Sequence, residues 1–274
     1  MRRFRHHPLL AFATLLVALQ VILALGATWI SPYDPTAQSI VARLKGPSAA
    51  HWLGTDQLGR DVLARILFGY RTSLSACVLE VAVALLVGGT LGLLSAYYRG
   101  WLDRIVMRVM DVLFAFPVML LAIGVIAVLG PQTSSAAVAI AVVYIPIFAR
   151  LLRGPALVIC ETEYVRGAKA IGASDGRILA RHVLPNLASV ILVQTSLLLS
   201  AAVLVEASLS FLGLGTQPPT PSLGLMLSEG RNFLQLSPWS ALFAGFALLF
   251  LSFGFNLLGD ALRDTLDPRL RGHD

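Results

Sequence analysis

Two carboxylates stand inside apolar runs: Glu80, between Leu79 and Val81, and Glu206, between Val205 and Ala207. An ionisable side chain at bilayer depth is costly, so it marks a candidate pathway for a polar solute. The competing reading is a structural acid held by hydrogen bonds, with Ser208 and Ser210 at hand near Glu206. A second concentration of polar chemistry runs from Glu163 to Asn186 and holds Arg166, Lys169, Arg177 and Arg181, with Arg150 and Arg153 just upstream. A segment this charged belongs in water on the cytoplasmic face, where basic loops collect. Its chemistry is that of a docking site for a soluble partner, or of an ordinary amphipathic loop on the membrane surface. A third cluster, His51-Trp52-Leu53-Gly54-Thr55-Asp56-Gln57-Leu58-Gly59-Arg60-Asp61, has Gly and Asp spacing that invites a calcium-binding or catalytic role. Against that stands an ordered loop in which Asp56, Arg60 and Asp61 pair and cap helices.

Catalytic templates are missing. No His-Glu-x-x-His or Gly-x-Ser-x-Gly occurs. The five histidines lie in loops or termini. No Cys-x-x-Cys or Cys/His cluster suggests a metal, and Cys77 and Cys160 fall on opposite sides of any sensible topology, which argues against a disulfide. No Gly-x4-Gly-Lys-Ser/Thr phosphate loop exists, so this chain cannot bind ATP in that way. No catalytic residue, cofactor or metal site is therefore assigned.

Composition sets the class. The chain has 274 residues, 57% of them hydrophobic and only 13% charged, with mean hydropathy +0.77. A soluble domain carries about 25% charged residues, so this is a polytopic membrane protein, all-α in its spans. The net charge of +6 does not point to nucleic acid, because no basic face with interleaved aromatics is present. Six runs approach the ~20 apolar residues that cross a bilayer as a helix: Leu9–Ile30, Leu74–Tyr98, Ile105–Leu129, Ala136–Leu152, Leu187–Leu214 and Trp239–Leu262. The first follows Arg2-Arg3-Phe4-Arg5 but is too long for a signal-peptide core, and it reads as a retained span. Pro117 and Pro146 predict kinks in the third and fourth runs.

With the N-terminus inside, fifteen of the 21 Lys and Arg residues face the cytoplasm. That bias puts both termini and the Arg150–Asn186 loop in the cytoplasm, and Ser31–Arg71 and Thr216–Pro238 outside. Three regions follow: residues 1–72 with the first helix and the external loop, residues 73–262 with five helices, and a cytoplasmic tail, 263–274. Leu63–Leu74 reads as an amphipathic helix leading into the second span. Asp111 follows Arg104 and Arg108 at helical spacing, which predicts a pair within one helix.

The basic loop, 160–186, predicts a helix from Glu163 to Ile171, a break at Gly172, and a second short helix capped by Ser174 or Asp175. Ile178, Leu179, Val183 and Leu184 give that second rod an apolar face, and Pro185-Asn186 marks entry to the fifth span. Gly167, Ala168, Ala170, Gly172 and Ala173 would form a corner of small residues, open to close approach by another protein.

This segment resembles the EAA motif of the inner-membrane permeases of bacterial ABC importers: Glu-Ala-Ala, three residues, Gly, nine residues, Ile-x-Leu-Pro. Arg166-Gly167-Ala168 stands for the triplet, Gly172 for the glycine, and His182-Val183-Leu184-Pro185 for the end. The spacing is kept; only the last Ala of the triplet is, and His182 replaces Ile. These departures, with Tyr164-Val165 and the Arg181-to-Asn186 ending, are similar to the dipeptide/oligopeptide/nickel branch. So are His51–Asp61, Glu206-Ala207-Ser208-Leu209-Ser210-Phe211-Leu212-Gly213-Leu214-Gly215, and the tail from Leu258 to Arg269. The likeness points to the second, C-type, permease of a pair.

The resemblance implies the type I importer transmembrane fold in the bacterial inner membrane. It implies a second homologous permease subunit, two cytoplasmic ATP-binding subunits and an extracytoplasmic solute-binding protein. The Gly-broken loop, with Glu163, Tyr164, Arg166, Gly167, Ala168, Ala170, Gly172, Ala173, Ser174 and Pro185, would be the coupling helix seated in an ATPase groove. The expected cargo is a peptide, with nickel or another small solute as the alternative. Gln194, Thr195, Ser196, Ser200 and Glu206, with Glu80, are the candidate pathway residues. An ion-coupled carrier is the alternative of another class; its inverted repeats and multiple intramembrane charges are not evident here.

Overall fold

In hydrocarbon each backbone polar group must find its partner within the protein, which leaves helices as the economical solution. The computed structural model describes residues 8–266. Arg2, Arg3, Arg5, His6 and His7 at the start, and Arg269, Arg271 and His273 in the tail, lie outside the described residues. Among the described residues the elements are helical apart from one isolated bridge, Thr55 to Asp61. In chain order they are α1 (Pro8–Leu25), α2 (Ala27–Ile30), α3 (Val62–Tyr98), α4 (Gly100–Phe114), α5 (Val118–Leu129), α6 (Thr133–Cys160), α7 (Glu163–Ala170), α8 (Asp175–Ile178), α9 (Leu184–Phe211), α10 (Leu223–Gly230) and α11 (Trp239–Leu266).

Five helical units are long and apolar enough to cross a membrane. The sixth expected span is not a straight crossing. α4 and α5 meet at a bend of 96°, at the Ala115-Phe116-Pro117 break, because Pro117 lacks the N–H that would continue α4. The kink expected there is thus a near-perpendicular turn. Pro146 and Pro155, in contrast, both sit within the single helix α6. The second span begins at Val62 rather than Leu74, since Asp61 caps it: the Ala64 N–H donates to its Oδ1 at 2.7 Å. No separate amphipathic helix precedes it.

α3 packs along α6, and α9 along α11, with α1 laid against α11 and α3. The α3–α6 contact rests on Gly88 and Gly92, four residues apart. A Cβ at Gly88 would come within 2.2 Å of the Ile145 carbonyl oxygen, and one at Gly92 within 2.3 Å of that of Ala149. Without a hydrophobic drive between helices in lipid, such close backbone approach supplies the association energy through dispersion contacts. Around this crossing Val81, Ala84, Ile140, Tyr144 and Phe148 form a buried core.

The segment between α2 and α3 is a tied loop. The Asp56 Oδ2 accepts from Arg60 Nε and Arg65 Nη1, both at 2.6 Å. Glu229 of α10 accepts from the same two guanidinia at 2.8 and 2.7 Å. His51 Nδ1 lies 2.8 Å from Asp61 Oδ2. The expected pairing and capping by Asp56, Arg60 and Asp61 are therefore in place, and these carboxylates are engaged by cationic or backbone donors. Arg65, fully buried, was not singled out from the sequence. Its offset of nine residues from Asp56 carries no recognised pattern.

Leucine at Gly92 should destabilise the chain by about 1–3 kcal/mol or more through overpacking, read as a lower melting temperature in detergent. Leucine at Gly124, where a Cβ meets nothing within 4 Å, should leave it unchanged.

Candidate functional site

The basic loop is built on a packed floor. Ala96 and Tyr97 from α3, Ala156 and Cys160 from α6, and Leu187 from α9 cluster with Val165, Ala168, Ile178 and Val183 of the loop itself. α7 ends at Ala170, and Gly172 then takes φ +80°, a conformation that glycine adopts without Cβ strain. Two bonds close the turn. The Gly172 N–H donates to the Lys169 carbonyl at 3.0 Å and the Ala173 N–H to that of Ala168 at 3.1 Å. That pair of bonds is the Schellman arrangement, which fixes the exit direction of the chain.

Side chains from α3 pin the far side of the corner. The Tyr97 hydroxyl donates to Asp175 Oδ1 at 2.6 Å, and that of Tyr98 to Oδ2 at 3.0 Å. The Lys169 ammonium lies 4.2 Å from the centre of the Tyr97 ring. Glu161 joins α6 to α7 by pairing with Arg166 and Arg99. The hydrogen bond from Arg166, then that from Arg99, holds the Glu161 carboxyl below the usual range.

The site residues expected from sequence divide cleanly. Glu163, Tyr164, Arg166, Gly167, Ala170, Gly172, Ser174 and Pro185 are exposed, Ala173 is half-buried, and Ala168 is buried in the floor. Nothing lies within 4 Å of a Cβ built at Gly167 or Gly172, so the corner is open. Ile171 at its tip is 87% exposed. Two expectations are corrected. Ser174 occupies the cap position of α8 but its side chain makes no capping bond, and Asp175 is turned to the tyrosines instead. The second rod is not separate from the fifth span: a π-turn over Leu179–Val183 carries α8 straight into α9, with Pro185 in the first turn.

The two buried carboxylates lie within the helix bundle. Glu206 Oε1 accepts from Ser210 at 2.7 Å and Thr216 at 3.3 Å, and Oε2 from Ser73 of α3 at 3.2 Å. It thereby ties the turn after α9 to α3. Ser210 contributes as expected, whereas Ser208 bonds its own helix at Leu204. Glu80 is buried, not near a face, and its Oε2 finds no partner among the described residues; nor does the nearby Tyr144 hydroxyl. The Ser200 hydroxyl donates to the Ser252 carbonyl at 2.8 Å, clamping α9 to α11. Gln194 lines an open cavity of about 440 Å³ with Leu151, Val190, Leu197 and Arg263.

Residues 88–272 match the family described as binding-protein-dependent transport system inner membrane component. Residues 1–47 match the N-terminal TM domain of oligopeptide transport permease C. The chain is 48% identical over 271 residues to the glutathione transport system permease protein GsiD of Pectobacterium atrosepticum, covering 98% of this chain and 90% of that protein. It is 42% identical over 270 residues to the dipeptide transport system permease protein DppC of Alkalihalophilus pseudofirmus, covering 98% and 89%. Among solved structures, the MetNI methionine ABC transporter in an inward-facing conformation superposes with TM-score 0.60 at 18% identity, over 74% of this chain and 97% of that one.

Tyr97→Phe should loosen the corner. Hydrogen exchange across 173–178 is expected to rise roughly tenfold or more with the loss of one bond to a carboxylate. The Glu161 contribution has the opposite handle. Its carboxyl is depressed when folded, so its stabilisation is complete above the ordinary value of about 4.3 and fades as pH falls through the depressed one. Exchange at 160–163, corrected for its intrinsic rate, should stay flat down to that ordinary value and rise only below it.

Proposed function

This chain belongs to the family of binding-protein-dependent transport inner membrane components, and from that premise we propose that it is the permease of a peptide importer whose Gly172 corner couples it to ATP-driven subunits. One observation carries the coupling role. The Schellman turn at Gly172 stands on a floor drawn from three helices, α3, α6 and α9, and offers exposed small residues with nothing beyond them. A partner surface can approach that backbone closely, and a push on it meets packed helices, not a loose loop. Gly167 and Gly172, where an added Cβ would meet nothing within 4 Å, beside an 87% exposed Ile171, suit a seat in another protein's groove.

The ATP-binding subunits are separate proteins in this reading, since the chain has no phosphate loop. A second, homologous permease would complete the passage, and an extracytoplasmic binding protein would deliver cargo. The bias of Lys and Arg supports placing both termini and the corner in the cytoplasm of a bacterial inner membrane. Single cysteines test this: Ser174→Cys should resist an impermeant reagent in intact cells, and Ser48→Cys should react. Strong labelling at position 174 would invert the topology.

Peptide cargo is supported by relatives named for glutathione and dipeptide transport. In cells deleted for this gene, uptake of a labelled dipeptide or of glutathione should fall to background while nickel uptake persists; the reverse would make the cargo a metal. Gly172→Asp should then lower peptide uptake at least tenfold, because a residue with a Cβ pays in strain at φ +80° and adds charge at the seat. The protein should still insert. Normal uptake by the variant would remove the corner from the mechanism.

A further inference from the structure

α4 lies across the bundle at the level of the membrane surface. α5 has 12 residues and so reaches about 18 Å, and α4 turns from it by 96°. The depth follows from α6. Arg150 and Arg153 lie about 26–30 Å along that helix from Thr133, close to the ~30 Å of a hydrocarbon core. Both hold α4: Arg150 pairs with Asp111, and Arg153 grips Asp103 with two bonds of 2.6 Å. The pair expected within α4 between Asp111 and Arg104 or Arg108 is therefore not made. That leaves Arg104 and Arg108 exposed, with no ion-pair or hydrogen-bond partner among the described residues.

The two faces of α4 differ. Asp103, Arg104, Met107, Arg108 and Asp111 line an open cavity of about 510 Å³, completed by Arg150 and Arg153 of α6. Four guanidinia meet two carboxylates there, and both carboxylates are already engaged. Beside this face Trp101, Ile105, Val109 and Val112 are exposed. A free anion or an acidic protein would satisfy the arginines without engaging that apolar row. A phospholipid satisfies both at once, with its phosphate between guanidinia one helical turn apart and its chains along the row.

We propose that the Arg104–Arg108 face of α4 binds the phosphate of an anionic phospholipid in the adjacent leaflet. The placement of that leaflet rests on the topology proposed above, which labelling at position 174 tests separately. Basic pockets between membrane helices on the cytoplasmic side take such headgroups.

The experiment uses the complete transporter, purified in detergent with its partner subunits and offered phosphatidylglycerol and phosphatidylcholine in equal amounts. Bound lipid is counted by native mass spectrometry. The wild type should retain phosphatidylglycerol preferentially, and the Arg104→Gln, Arg108→Gln double variant should hold it about thirtyfold more weakly. Arg43→Gln, in the external loop, should change nothing. Equal retention by the double variant overturns the proposal. So does full displacement of the lipid by inorganic phosphate, which would make the site one for a soluble anion. If the double variant fails to assemble, quenching in the wild-type complex decides. Chain-brominated phosphatidylglycerol should quench the Trp101 fluorescence, taken as the difference from Trp101→Phe, more than brominated phosphatidylcholine does. Equal quenching, or none because another subunit covers α4, counts against the lipid.

Discussion

The close approach of α3 to α6 at Gly88 and Gly92 is the contact on which the rest depends. Helices in lipid gain nothing from hiding apolar surface, so their association turns on how near two backbones can come. Here a Cβ on either glycine would sit little more than 2 Å from a carbonyl oxygen of α6. That crossing fixes α3 as a rod of 37 residues, about 55 Å long, against the bundle. Its N-terminal end carries Arg65, held by Asp56 and Glu229. Its C-terminal end carries Tyr97 and Tyr98, which hold Asp175 beneath the Gly172 corner. One helix therefore anchors both the loop that precedes it and the basic loop.

The same rod explains why the loop keeps a shape. A basic segment of two dozen residues has charge enough to stay solvated and mobile. Its order comes from burying Val165, Ala168, Ile178 and Val183 on α3, α6 and α9, with the Schellman turn closing the angle. The π-turn at Leu179–Val183 shares the task. By adding a residue to the turn it reorients the helix face, so Ile178 and Val183 both reach the floor while α9 continues beyond.

Much of this was legible in the sequence. Helix–glycine–helix at 163–178 follows from propensity and from the one residue that tolerates positive φ. The spans follow from apolar runs. What hydropathy missed has physical causes. It trimmed α3 because its first turns hold Arg65 and Arg71, yet Arg65 is buried by ion pairing rather than excluded. It counted Ile105–Leu129 as one crossing because an apolar run does not show the 96° bend between α4 and α5. It paired Asp111 with its own helix, since i, i+4 neighbours are visible in sequence and Arg150 of α6 is not.

The buried carboxylates show where residue type alone runs out. Glu80 and Glu206 are both candidates from sequence, since each is an acid in an apolar run, with Glu206 the stronger for the hydroxyls of Ser208 and Ser210 beside it. The structure separates them by their partners. Glu206 spends both oxygens on Ser210, Thr216 and Ser73, which makes it the knot between the end of α9 and α3. Removing it would leave three buried hydroxyls without an acceptor. Glu80 has no such claim on its neighbours: its Oε2 and the Tyr144 hydroxyl are both buried and find no partner among the described residues. A buried polar atom without a partner costs about 1–3 kcal/mol, so packing alone gives no reason to keep an acid at position 80. A helix rearrangement that brought a donor to Glu80 would recover that cost. Of the two acids, Glu206 is therefore tied into this bundle through both oxygens, while Glu80 leaves Oε2 without a partner among the described residues.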